Sequence, residues 1–235
     1  MVTQRYRPQV KAVVAALALG CGTARATCPA ESPTLAAQSD ELRLAWIQSH
    51  LAHTAHSATW WRDGWAIGIA SAGVVNLALI PILGATHDHV VVFGIGAASA
   101  TVGLIPFVFM PPRVIADHRA VDALADTSAD RCTVLAEAER RLAASAAEQR
   151  QHRAWYMHVG NVAFNAGLAL VFGAFGHWTA GAISGLAGAA VGEAIIFTHP
   201  NDSIDDLDRY RRGDLAEITS WELVPAGTGI AIHWR

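Results

Sequence analysis

The chain has 235 residues, 52% of them apolar and only 16% charged, with a formal net charge of −3 at pH 7. A mean hydropathy of +0.28 argues against an ordinary soluble domain of this length. Lys11 is the only lysine. All later positive charge is arginine, the net charge is near neutral, and no basic stripe with interleaved aromatics occurs, so no nucleic-acid partner is expected.

Residues 1–26 read as a secretory signal peptide. Arg5, Arg7 and Lys11 supply the charge, residues 12–20 a short apolar core, and Ala24-Arg25-Ala26 a small-x-small cleavage site. That core is too short to span a bilayer. The run before Cys21 also resembles a bacterial lipoprotein box, with Ala18 and Leu19 in reversed order, so lipidation at Cys21 is the alternative. A linker over 27–40 follows. Cys28 and Cys132 are then the mature cysteines, and a disulfide between them suits an oxidising compartment.

The expected fold is an all-α membrane protein. Two tandem repeats, each an amphipathic helix followed by a transmembrane hairpin, form a four-helix bundle. Repeat 1 covers 41–112, a linker 113–131, and repeat 2 covers 132–200. The amphipathic pieces are 41–62, with Leu44, Ile47 and Leu51 on one face, and 132–153, with Leu135 and Leu142. Four apolar stretches, 64–86, 90–110, 157–176 and 178–198, each approach the ~20 residues that cross a bilayer. None holds Lys or Arg, and Glu193 is their only carboxylate. Trp60, Trp61, Trp65, Trp155, Tyr156 and Trp178 collect where an interfacial belt belongs.

A shift of 89 positions superimposes Asn76 on Asn165, Gly84 on Gly173, Gly96 on Gly185, Gly103 on Gly192 and Pro111 on Pro200. Two spans per repeat is an even number, so both repeats enter the membrane from one side, as in parallel-repeat proteins. The second helix of each hairpin carries small residues at close-packing intervals: Gly96 with Ala100, Ser99 with Gly103, Gly181 with Gly185, Gly188 with Gly192.

Sidedness is drawn two ways. A signal peptide places the polar helices and the tail outside the cytoplasm. The eleven arginines of the connection and tail pull the other way under the positive-inside rule. The signal governs the expectation here: a bacterial cell membrane protein with an extracytoplasmic polar face.

Residues equidistant from a hairpin tip lie at similar depth. With tips at Asp88 and His177, Asn76 is level with Ala100 and Asn165 with Ala189. Each asparagine then faces a small-residue niche, where its amide bonds across helices. Glu193 is level with Asn161, and His158, Asn161 and Asn165 share one helix face. Glu193, Asn161, His158 and Asn165 thus form a candidate intramembrane polar cluster. The matching positions of repeat 1 hold Leu104, Ala72, Ile69 and Asn76. A carboxylate inside a span is a functional candidate.

His50, His53 and His56 stand three apart and are weak metal-ligand candidates. GxSxG, HExxH, P-loop and CxxC patterns are absent. The stretch 201–235 reads as a polar tail, alternating at its end around Pro225-Ala226-Gly227-Thr228-Gly229 in the manner of a β-hairpin.

The expected function is that of a non-enzymatic scaffold or complex subunit of the cell envelope. The expected partners are the lipid bilayer and a second copy or an envelope protein, with no cofactor. One alternative is a small channel or proton-coupled transporter using Glu193. Another is a metal- or haem-binding membrane protein.

Overall fold

A computed structural model describes residues 28–127 and 129–215, together with the backbone of 221–226 and 229–234. The segment read as a signal peptide, with Cys21, lies outside the described residues. Among those described, the order is α1 (Pro33–Ala36), α2 (Asp40–Ile82), α3 (His87–Phe109), α4 (Arg113–Ala125), α5 (Arg131–His152), α6 (Trp155–Ala174), α7 (Trp178–Thr198) and α8 (Asp202–Arg212), then β1 (Trp221–Ala226) and β2 (Gly229–Trp234). The two strands pair antiparallel, Trp221 opposite Trp234. The chain divides into two compact units. One takes the described residues up to Trp46 and from Arg209 onward; the other is Ile47–Asp208.

In the first unit, Ser32 caps α1 by accepting a hydrogen bond from the Leu35 amide. The Arg43 side chain is fully buried. Its guanidinium donates to the Tyr210 hydroxyl at 3.1 Å, the Pro29 carbonyl at 3.0 Å and Asp40 at 3.4 Å. A buried cation is tolerated only when its donors are satisfied in this way.

The larger unit holds four helices long and apolar enough to cross a membrane. Their most apolar 18-residue windows are 0, 11, 17 and 17% buried within the protein. A soluble helical core would bury most of such segments, whereas here Ile67, Val74, Leu186 and Phe197 face outward. Contiguous apolar surface on that scale belongs against lipid or a partner.

The span of α2 and α3 form one hairpin, α6 and α7 the other, and α3 packs on α6. The first hairpin turns at Gly84, whose φ of +85° favours glycine, and Thr86 then caps α3 by accepting from the His89 amide. With Asn76 opposite Gly96 and Ile69 opposite Gly103, the midpoint of this hairpin falls at Thr86, ahead of Asp88. The second turns at Gly176, φ +83°, close to His177.

Three features differ from the sequence reading. The amphipathic piece and first span are one unbroken 43-residue helix, α2, which runs straight through Asp63 and Gly64, residues that commonly cap helices. The matching junction of the second half does break, at Arg153 and Ala154. There Arg153 donates to the Phe197 and His199 carbonyls, satisfying groups at the C-terminal end of α7.

The stretch read as a linker contains α4, which buries Val114, Ile115 and Val121 and packs on α5. The stretch read as tail contains α8. Its first turn holds Asp202 and Asp205 and its last turn Arg209, Arg211 and Arg212, matching the helix dipole.

Candidate functional site

The second hairpin closes on a seam of small residues. A Cβ added at Gly181 would stand 2.6 Å from the Ala169 carbonyl oxygen, and one at Gly185 3.0 Å from the Asn165 carbonyl. Gly188 and Gly192 lie directly against the Asn165 and Asn161 side chains. The absent side chains let the backbones approach closely enough for polar groups to reach across.

Along this seam the four residues of the expected cluster meet. His158 Nδ1 and Glu193 Oε2 lie 2.5 Å apart. Asn161 Nδ2 donates to Glu193 Oε1 at 2.9 Å and to the Ala189 carbonyl at 2.9 Å. Asn165 Nδ2 donates to Asn161 Oδ1 at 2.9 Å and to the Asn161 carbonyl. The result is a hydrogen-bonded line running Asn165, Asn161, Glu193, His158.

From the start of α6, this line spans depths of about 5 to 15 Å, at 1.5 Å per residue. Asn165 is buried, while the His158 and Glu193 side chains keep 32% and 29% of their surface. Phe197 stands beside the imidazole, ring centres 5.4 Å apart. Between a carboxyl and an imidazole in this contact a proton can pass either way, interconverting a neutral pair and an ion pair, and neither form leaves an unpaired charge.

The amide bonds differ in detail from expectation. Asn161 bonds across the helices, whereas Asn165 and Asn76 donate within their own helix, Asn76 to the Ala72 carbonyl at 2.8 Å. With the tip at Thr86, Asn76 is level with Gly96, and Ala100 lies against Gly73 instead. Gly103 faces Ile69.

The histidines of α2 do not converge. His50 Nδ1 lies 2.8 Å from Asp206 Oδ1. His56 Nε2 accepts from the Trp60 indole at 3.1 Å, and His53 is exposed. Among the described residues no three His, Cys, Asp or Glu side chains form a metal-holding group. Cys28 and Cys132 are each disulfide-bonded.

The sequence reading missed a second polar centre, between α4 and α5. The buried carboxylate of Asp117 accepts from Arg113 at 2.9 Å, Arg141 at 2.8 Å and Ser145 at 3.0 Å. Arg141 also donates to Glu137 at 2.7 Å. The hydrogen bond from Arg140, helped by Arg141, holds the Glu137 carboxyl below its ordinary range. Nearby, burial pushes the Glu148 carboxyl up, although it accepts from the Arg113 amide. Only the Asp–Arg spacing within α4 could have hinted at this network.

Next to it His199 is buried, stacked on His152 with ring centres 4.4 Å apart and met edge-on by Trp61 at 4.7 Å. The Trp61 and Trp65 indoles both donate to Thr198 Oγ1 at 3.1 Å, tying the entry of the first span to the exit of the last.

Comparison with known protein families, curated proteins and solved structures finds nothing that matches this chain.

Proposed function

We propose that this is a multi-pass bacterial envelope protein acting as a non-enzymatic scaffold or subunit of a membrane complex. Its two hairpins would be a duplicated anchor, and its polar helices the part presented to a partner. The observation that carries this reading is the outward apolar surface of all four spans, combined with α4 and α5 locked together through Asp117. Buried charge networks of this type fix one arrangement of helices and are costly to disrupt. The disulfide state of Cys28 and Cys132 supports an oxidising, extracytoplasmic location for the polar face. Native electrophoresis and crosslinking in mild detergent test the reading. We expect a defined homo- or hetero-complex; a protein that stays monomeric and captures nothing overturns it.

A second reading draws support from the Glu193–His158 pair, that of a small channel or proton-coupled transporter in which the pair carries the proton. Glu193→Gln keeps the shape and the bond to Asn161 but removes the titrating group. Proton-driven flux in reconstituted vesicles should then be lost while folding persists. Unchanged flux removes this reading.

A further inference from the structure

Beyond the intramembrane cluster, α2 and α4 enclose an open-sided groove of about 320 Å³ lined by Ala52, Ala55, His56, Thr59, Ile115, His118 and Arg119. Its polar side chains are unusual for this protein. Most arginines of the larger unit are engaged: Arg62 with Asp63, Arg113 and Arg141 with Asp117, Arg140 with Glu137, Arg150 with Asp208. Arg119, by contrast, has no carboxylate within ion-pair distance among the described residues, and its side chain is exposed.

Two imidazoles join it. Because His56 Nε2 accepts from Trp60, His56 carries its own proton on Nδ1, a free donor. His118 Nδ1 stands 3.4 Å from Asp122 but makes no hydrogen bond among the described residues, which leaves Nε2 as the place for the ring's N–H. Gln48 donates to the other oxygen of the Asp122 carboxylate. Thr59 spends its hydroxyl proton on the Ala55 carbonyl, so it adds no donor. The groove thus offers a guanidinium and imidazole N–H groups, and none of its lining residues is a carboxylate.

The height of the groove matters as much as its charge. Thr59 precedes Gly64, where the first apolar stretch begins, by about 7.5 Å of helix rise. That is about the depth of the polar layer on one side of a bilayer. Trp60, at the foot of the groove, is 70% exposed, as an interfacial anchor would be.

We propose that this groove binds a phosphate-bearing anion, with Arg119 as its principal contact and His56 and His118 as additional donors. A planar guanidinium suits phosphate oxygens, which it can hold through two parallel hydrogen bonds. The shared chemistry is that of an anionic lipid headgroup and of a free phosphate.

The test uses the full chain in detergent, offered vesicles of phosphatidylcholine alone, phosphatidylcholine with phosphatidylglycerol, and in a separate arm inorganic phosphate. Retained lipid is read by native mass spectrometry and phosphate binding by calorimetry. Phosphatidylglycerol should be retained in preference to phosphatidylcholine, and Arg119→Gln should weaken it about five- to tenfold. Inorganic phosphate that binds and displaces the lipid assigns the groove to a soluble anion of the same chemistry; no displacement assigns it to the headgroup.

Arg119 makes no ion pair among the described residues, so R119Q should melt as the parent does. If it does not, H118Q serves as the second variant, with a smaller loss expected. Equal retention of both lipids without phosphate binding, or variants indistinguishable from the parent, overturns the proposal. The inference rests on the membrane reading, and the two fail differently. Loss of all lipid association refutes the membrane reading, whereas association without headgroup preference refutes only the groove.

Discussion

The two hairpins share a plan and differ in one region. Both place an asparagine against a glycine: Asn76 against Gly96 in the first, Asn165 against Gly188 in the second. Nearer the polar helices they part. Where the first hairpin sets Ile69 beside Gly103, with room for an added Cβ at 3.5 Å, the second puts Asn161 against Gly192 and continues through Glu193 to His158. Apolar packing is therefore sufficient to close such a hairpin. The polar line in the second is an addition, and a costly one inside a membrane, which is why it marks the site.

The sharpest way to break the comparison is Gly181→Val. The first hairpin carries Val92 at the matching position, but in the second a Cβ would press on the Ala169 carbonyl and on Phe172 at 2.6 and 2.8 Å. We expect a loss of about 1–3 kcal/mol, measured as a lower melting temperature in detergent. Val92→Gly should cost less, about 0.5 kcal/mol from helix propensity.

Glu193→Leu installs the first hairpin's residue, removes one of the two acceptors of the Asn161 amide and strands the imidazole of His158. It should cost about 0.5–2 kcal/mol. The triple variant His158→Ile, Asn161→Ala, Glu193→Leu, which completes the apolar pattern, should recover part of that loss. Thermal melts of the single and triple variants check the coupling; additive effects would show that the four residues do not act as a line.

A third, smaller effect separates the polar helix before the second hairpin from the hairpins themselves. Burial raises the Glu148 carboxyl above its ordinary 4.5. A carboxyl raised in the folded state contributes stability that is full below the unfolded value and lost as pH rises through the folded one. Glu148→Gln should therefore flatten the parent's fall in stability on going upward from about pH 4.5. A stability–pH difference profile checks this; the same slope in both proteins would contradict it.

The smallest effect is expected at Gly167, which has nothing within 4 Å of an added Cβ. Gly167→Ala should change stability by less than about 1 kcal/mol, in the stabilising direction.

Much of this was legible in the sequence. Four spans follow from length and hydropathy, and the meeting of Glu193 with Asn161 follows from equal distance to a tip near Gly176. The same arithmetic failed by one turn in the first hairpin, because its midpoint falls at Thr86 rather than at Asp88. It also assigned the cross-helix amide bond to Asn165. Equal depth does not say which acceptor an amide finds: Asn161 and Asn165 both lie against glycines of α7, but Asn165 spends its amide on Asn161. The helix α4 escaped notice because its apolar residues cover too short a stretch to show a period. The Asp117 network and the Arg119 groove join residues far apart in the chain, which no local pattern reveals.

The central claim is that the two hairpins cross lipid. Washing membranes from expressing cells at alkaline pH, which strips peripheral proteins, tests it most directly. The account predicts that the full-length protein stays in the pellet and leaves it only with detergent. A protein released by the wash, and monodisperse in plain buffer, would contradict it.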